Sequence, residues 1–166
     1  MATEYNTVFA SIDNYRKGGV QCLNEDAKRY AFSNIYEVAA TNKPYDRIVV
    51  AKNLDYTIEV CRAEGRSGWM ACAHDEFVIA MDYDVVVHYL KLADDTMIDR
   101  DKDGFQSIKS APEGQKMGRI FLKRGHQALL PENTAYSFQA DKPATLMFQT
   151  ILGDESIEKW AEICQH

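Results

Sequence analysis

From Arg47 onward the chain reads as a series of short β-branched and aromatic runs. They cover Arg47–Ala51, Asp55–Arg62, Glu76–Met81, Asp84–Leu92, Gly118–Lys123, Ala135–Gln139 and Thr145–Leu152. Turn-forming clusters separate them at Asn53-Leu54-Asp55, Gly65-Arg66-Ser67-Gly68, Asp82-Tyr83-Asp84, Arg124-Gly125 and Asp141-Lys142-Pro143. Short strands recurring every 8–12 residues or so predict an all-β sandwich or barrel. The polar, acidic stretch Asp94–Pro112 is expected to be a long loop between the two halves. At the end of the chain Asp154 suits a helix N-cap, with Glu155 and Glu158 near the positive end of the dipole. Ile157, Trp160, Ala161 and Cys164 follow at i, i+3, i+4 and i+7, one apolar stripe. The first forty residues are mixed in character. The expected organisation is an N-terminal arm over 1–40, a barrel over 41–153 and an amphipathic helix over 154–166.

Composition narrows the class. A chain of 166 residues, 46% hydrophobic and 27% charged, has the size and balance of one globular domain that buries a core without staples. Nineteen basic against 25 acidic residues leave a net charge of −6, which disfavours nucleic-acid backbones and anionic membrane surfaces as partners. No window approaches the roughly 20 apolar residues of a membrane span. The first residues lack a basic segment followed by an apolar one, so no signal peptide is expected. Cys22, Cys61, Cys72 and Cys164 are scattered without CxxC spacing, the usage of reduced thiols in a cytoplasmic protein.

Candidate chemistry centres on His74 and Glu76, which share a face if the segment is a strand. They are either a pair aimed into the barrel, able to bind or protonate a substrate, or a mutually satisfied polar pair at its mouth. His88 and His126 are further candidates for a displaced metal site. The run Asp99 to Gly104 matches the first half of an EF-hand loop. Its twelfth position is Ser110 rather than a bidentate Glu, so a solvated acidic hairpin is the better reading. Trp69, Phe77, Phe121, Tyr136, Phe138 and Phe148 are either ordinary barrel core or, in part, an apolar pocket for an aromatic ligand. No P-loop, dinucleotide fingerprint, nucleophile elbow or Cys/His zinc pattern is present.

Gly125, five residues and Pro131, within RGHQALLPENTAYSF, resemble the second cupin signature. HDEFVIAMDYDVVVHYLKL resembles the end of the first, with Glu76 at the Glu position and Tyr83 where the family has Gly. The resemblance implies a double-stranded β-helix, or jelly-roll, barrel. It also implies a lost metal site. Cys72 or Ala71 and the residues two before them, Met70 or Trp69, stand where the family has His-x-His, and Tyr136 stands at the His of the second signature. A divalent ion of the iron or manganese class wants imidazoles beside its carboxylate, and one Glu with a Tyr does not make such a site.

A narrower resemblance rests on GWMACAHDEFVIAMD, MGRIFLKRGHQALLPENTAYSF and EKWAEICQ. These segments are similar to the small subunit of the two-component hydroquinone 1,2-dioxygenases. What this implies is a metal-free subunit without catalytic residues of its own. The larger cupin-like partner would hold Fe(II) and cleave a hydroquinone-type ring with O2, possibly in an α2β2 assembly. This chain would serve assembly, stability and substrate access, with Trp69, His74, Glu76 and Tyr136 as access or pocket residues and Trp69 lining an entrance. The arm and the final helix are the expected partner contacts. The alternative is a stand-alone, metal-independent cupin that uses His74, Glu76 and Tyr136 in a lyase or isomerase step, or simply binds a small molecule.

Overall fold

The structure is a computed structural model describing residues 20–22, 28–32, 34–94, 97–108 and 111–159. Its described residues form an all-β fold, eleven strands in one sheet around a buried interior. The strands are β1 (Val20–Cys22), β2 (Arg29–Phe32), β3 (Ile48–Asn53), β4 (Tyr56–Arg66), β5 (Trp69–Cys72) and β6 (Glu76–Ala80). They continue with β7 (Val85–Leu92), β8 (Phe105–Ile108), β9 (Gly114–Leu122), β10 (Gln127–Leu130) and β11 (Thr134–Ile151). One short helix, α1 (Ile35–Thr41), precedes β3.

β11 organises the barrel. Its first half pairs antiparallel with β7, Thr134 opposite Lys91 through Gln139 opposite Val86. Its second half pairs with β6 on one side and β4 on the other. Two separate strands were expected here, divided by a turn at Asp141-Lys142-Pro143. Instead the strand runs on, and these residues form an irregularity between Ala140 and Ala144 in the pairing with β4. Proline lacks the N–H a ladder needs, so it is accommodated where the register shifts.

The alternation within β4 sets the interior. Thr57, Glu59, Cys61 and Ala63 are all buried on one face, while Val60 is buried on the other. Cys61 and Ala63 join the main core with Val78, Val87, Leu122, Phe138, Leu146 and Phe148. Val60 joins a second cluster with Tyr30, Phe32, Ala39, Val49 and Val50. Burial of about 1.5–3 kcal/mol per large apolar side chain favours covering that outer face. It explains why residues 29–32 and 34–40 of the expected arm fold onto the barrel: β2 extends the sheet beside β3. α1 is capped by Asn34, whose Oδ1 accepts from the Glu37 N–H at 3.3 Å. Residues 1–19 lie outside the described residues.

Two further expectations change. The Asp94–Pro112 segment is not all loop, since β8 within it pairs with β5, Phe105 opposite Cys72. Just before β8, Gly104 passes close against Gly153 in the tail after β11. A Cβ on Gly104 would stand 2.5 Å from the Gly153 Cα, and Gly104 has φ of +73°. The closing helix does not begin at Asp154. Residues 154–159 form a turn and an isolated parallel bridge between Ile157 and Ile48. Backbone bonds to β3 outcompete helix formation there: the Val49 N–H donates to the Ile157 carbonyl at 2.9 Å, and the Ile157 N–H to the Arg47 carbonyl at 3.0 Å. The rest of the expected helix, 160–166, lies outside the described residues.

Candidate functional site

The chemistry of the barrel interior gathers around Arg47, just before β3. Its side chain is 1% exposed, and those of Glu59 and Glu76 are 0% exposed. Arg47 Nε donates to Glu59 Oε2 at 2.6 Å. Nη2 donates to Glu76 Oε1 at 2.7 Å and Nη1 to Glu76 Oε2 at 3.2 Å, a bidentate pair. The guanidinium lies between two rings, 4.0 Å from the Phe148 centroid and 4.3 Å from that of Phe105. Phe105 comes from β8, so a segment expected to be a loop closes one side of the site.

One cation faces two carboxylates, and hydroxyl donors make up the difference. The Tyr136 hydroxyl donates to Glu76 Oε2 and accepts from Arg47 Nη1 at 3.5 Å. The Ser156 hydroxyl, in the bridged tail, donates to Glu59 Oε1. Every carboxylate oxygen of Glu59 and Glu76 is thereby engaged, the condition under which buried charges are tolerated. Burial alone would raise the Glu76 pKa, but the adjoining Arg47 guanidinium outweighs it and holds the carboxyl below its ordinary 4.5. Burial and the neighbouring Glu76 push Tyr136 well above its ordinary value, so its proton stays on oxygen.

Glu76 and Tyr136, which the cupin resemblance puts at the Glu and His ligand positions, meet in this direct hydrogen bond. His74 lies in the bend between β5 and β6 rather than on a strand, yet it approaches the same place. Its Nε2 is 3.1 Å from Thr150 Oγ1 and 3.8 Å from Cys72 Sγ. Burial, then the charge of Glu76, raises the Cys72 thiol far above its ordinary range, so it is a neutral thiol. Trp69 stands apart. Met70 and Cys72 of β5 point into the main core, while Trp69 is half-buried against a third cluster of Ala71, Leu92, Ile98 and Ala135. His88 points outward from β7 toward Gln139 at 3.3 Å, and His126 is exposed in the turn before β10, so neither reaches the Glu76 site.

The residues missed in the sequence are Arg47, Glu59 and Ser156. A signal for Glu59 existed: it shares the inward register of Thr57, Cys61 and Ala63, and a charge in such a register needs a buried partner. Arg47 directly precedes the apolar Ile48-Val49-Val50, but nothing in that placement names its partners.

No protein-family model matches the chain, and no curated protein matches it. Solved structures do. A chain of hydroquinone 1,2-dioxygenase from Sphingomonas sp. TTNP3, with 4-hydroxybenzoate bound, is 52% identical. The match covers 98% of each chain with a TM-score of 0.81. The chain belongs to the hydroquinone 1,2-dioxygenase family. A second dioxygenase of this family, PnpCD in complex with Cd2+ and 4-hydroxybenzonitrile, has a chain 49% identical, covered over 100% of both lengths, with a TM-score of 0.79. PnpCD in complex with Fe3+ also contains a longer chain of similar fold, 13% identical; the match covers 89% of this chain and 37% of that one, with a TM-score of 0.56. PnpCD thus contains chains of two different lengths that share this fold. No helix among the described residues is long and apolar enough to cross a membrane.

The interior donor set does not fit the iron that one of these dioxygenase structures holds. Both oxygens of Glu76 are occupied by Arg47 and Tyr136, and His74 is the one imidazole beside them among the described residues. Ferrous iron in oxygenases is held by a face of two imidazoles and a carboxylate with open positions.

Proposed function

We propose that this chain is the metal-free small subunit of an Fe(II)-dependent hydroquinone 1,2-dioxygenase, working in the cytoplasm with a larger cupin-like subunit that holds the iron. The observation that carries this reading is the Arg47–Glu76 pair: the carboxylate at the cupin ligand position is already neutralised by a guanidinium. The full-length likeness to hydroquinone 1,2-dioxygenase chains supports the reaction, ring cleavage of a hydroquinone-type substrate by O2. The two chain lengths in PnpCD support a hetero-oligomer, of which α2β2 is the simplest symmetric form.

The chain's own contribution is then rigidity, contact surface and part of the substrate path. Trp69, half-buried on the outer face of β5, is available to such a path in a way that Glu76 and Tyr136, fully buried, are not. That burial also argues against the stand-alone reading, because neither Glu76 nor Tyr136 presents a surface to a substrate. An outward row supports a partner surface: Leu129 lies opposite Phe77 across β10 and β6, and both side chains are exposed.

The test is reconstitution. The chain alone, a co-expressed larger subunit alone and the two together are assayed for O2 uptake with hydroquinone. Activity confined to the mixture, with the chains co-eluting as one species, is expected. Equal activity of the larger subunit alone would remove the need for this chain, and activity of this chain alone would establish the stand-alone reading.

A further inference from the structure

The barrel interior contains the parts of a metal site and, beside them, a buried cation already paired with one of the donors. Donor atoms of Cys72, His74 and Glu76 all lie within 4.8 Å of one another. The 3.8 Å between Cys72 Sγ and His74 Nε2 is close to the separation of two ligands bound to one ion, given metal–sulfur bonds of about 2.3 Å and metal–nitrogen bonds of about 2.0 Å. A thiolate, an imidazole and a carboxylate form a borderline-soft set suited to zinc or cobalt(II) rather than magnesium or calcium. Against this stands Arg47, which spends two N–H groups on Glu76, anchors itself on Glu59 and is wedged between Phe105 and Phe148.

We propose that the Arg47 guanidinium is a built-in substitute for a metal cation, and that removing it opens a latent zinc-class site formed by Cys72, His74 and Glu76. Formal charge supports the exchange. Arg47 with Glu59 and Glu76 sums to −1. A divalent ion with Glu59, Glu76 and the Cys72 thiolate also sums to −1. In the exchange the Cys72 S–H bond breaks, its proton leaves to solvent and the sulfur lone pair binds the metal, with no change of oxidation state. Three protein donors then leave the fourth position of a tetrahedral ion to water. A guanidinium holds its charge at any accessible pH and cannot be chelated or exchanged, so the subunit keeps its fold whatever the metal supply. The inference deepens the metal-free reading of this chain and is independent of what the assembled enzyme turns over.

The experiment uses the isolated full chain as wild type, Arg47→Ala, Arg47→Lys and the double variant Arg47→Ala/Cys72→Ser, each titrated with Co2+ and melted with and without Zn2+. Arg47→Ala is expected to bind one Co2+ per chain with thiolate-to-cobalt absorption. Its affinity should be at least roughly 100-fold above wild type, the upper end of what groups around a metal alter. Zn2+ should raise its Tm. The double variant should lose the thiolate absorption, and Arg47→Lys, which keeps a cation without the bidentate fork, should bind Co2+ more weakly than Arg47→Ala. If Arg47→Ala is unfolded in metal-free buffer, Zn2+ or methylguanidinium should restore its fold, and failure of both overturns the proposal. A folded Arg47→Ala that binds no Co2+ also overturns it, while leaving the metal-free reading intact. Wild type that binds one Co2+ through Cys72 overturns both.

Discussion

Removing one oxygen atom, in Tyr136→Phe, tests the account of the buried cluster. The ring is fully buried and packs edge-on against Phe138 with centroids 5.7 Å apart, a contact that phenylalanine keeps. What is lost is the O–H donated to Glu76 Oε2 and the weak acceptance from Arg47 Nη1. A hydrogen bond to a charged group contributes about 1.5–3 kcal/mol. Glu76 Oε2 keeps its Arg47 donor at 3.2 Å, so the oxygen is not orphaned and the lower end applies, about 1.5–2 kcal/mol. For a chain of this size that lowers Tm by about 3–8 °C. The substitution also acts on pH dependence. The folded pKa of Glu76 lies below its ordinary value, so its carboxylate contributes stability above about pH 4.5 that is lost as pH falls through the folded value. Without the Tyr136 donor the folded pKa rises toward 4.5, and acid unfolding should begin at higher pH. Urea titrations of the isolated chain between pH 3 and 7 or so measure both effects. A variant within about 0.5 kcal/mol of wild type, or one whose acid midpoint is unmoved or lower, would refute the reasoning.

At the alkaline end, burial pushes the Cys61 thiol up to about 12 from 9.0, so its protonated form stabilises the fold below pH 9.0 and that contribution drains away as pH rises toward 12. Denaturation curves should therefore show stability falling above about pH 9, with a shallower fall in Cys61→Ala even though its core is weakened. In the reconstituted enzyme, Trp69→Ala should raise KM more than it lowers kcat, because a wall contact binds ground and transition states alike. A hundredfold fall in kcat at constant KM would mean that this chain takes part in the chemistry. Deleting residues before Arg29 removes β1 and should weaken assembly with the larger subunit more than it lowers the Tm of the barrel. Wild-type affinity of the truncated chain would exclude the arm as a contact.

Strand periodicity carried the barrel. Asp84–Leu92 and Arg47–Ala51 appear within a residue or two of β7 and β3, because alternation and turn chemistry act locally. What escaped was decided by distant partners. β8 lies in a polar segment and exists because β5 offers it an edge. The tail stripe of Ile157, Trp160, Ala161 and Cys164 reads as helix, but Ile157 instead bonds β3. In the site, Glu76 was legible through its spacing to Tyr83 and Tyr136 through its spacing from Gly125 and Pro131, and the structure joins them. Arg47 was not, since nothing in a strand-leading arginine shows that its charge will meet residues 29 and 89 positions away.

The central claim is that iron belongs to the partner and this chain contributes none of its ligands. Iron analysis of each chain, separated from active reconstituted enzyme and also purified alone, tests it directly. The account predicts full activity with iron retained by the larger subunit and no stoichiometric iron, manganese or zinc in this one. About one iron per copy of this chain, abolished by His74→Ala, would contradict it, since a resident site needs about three fixed protein ligands and Arg47 would then have failed to close it.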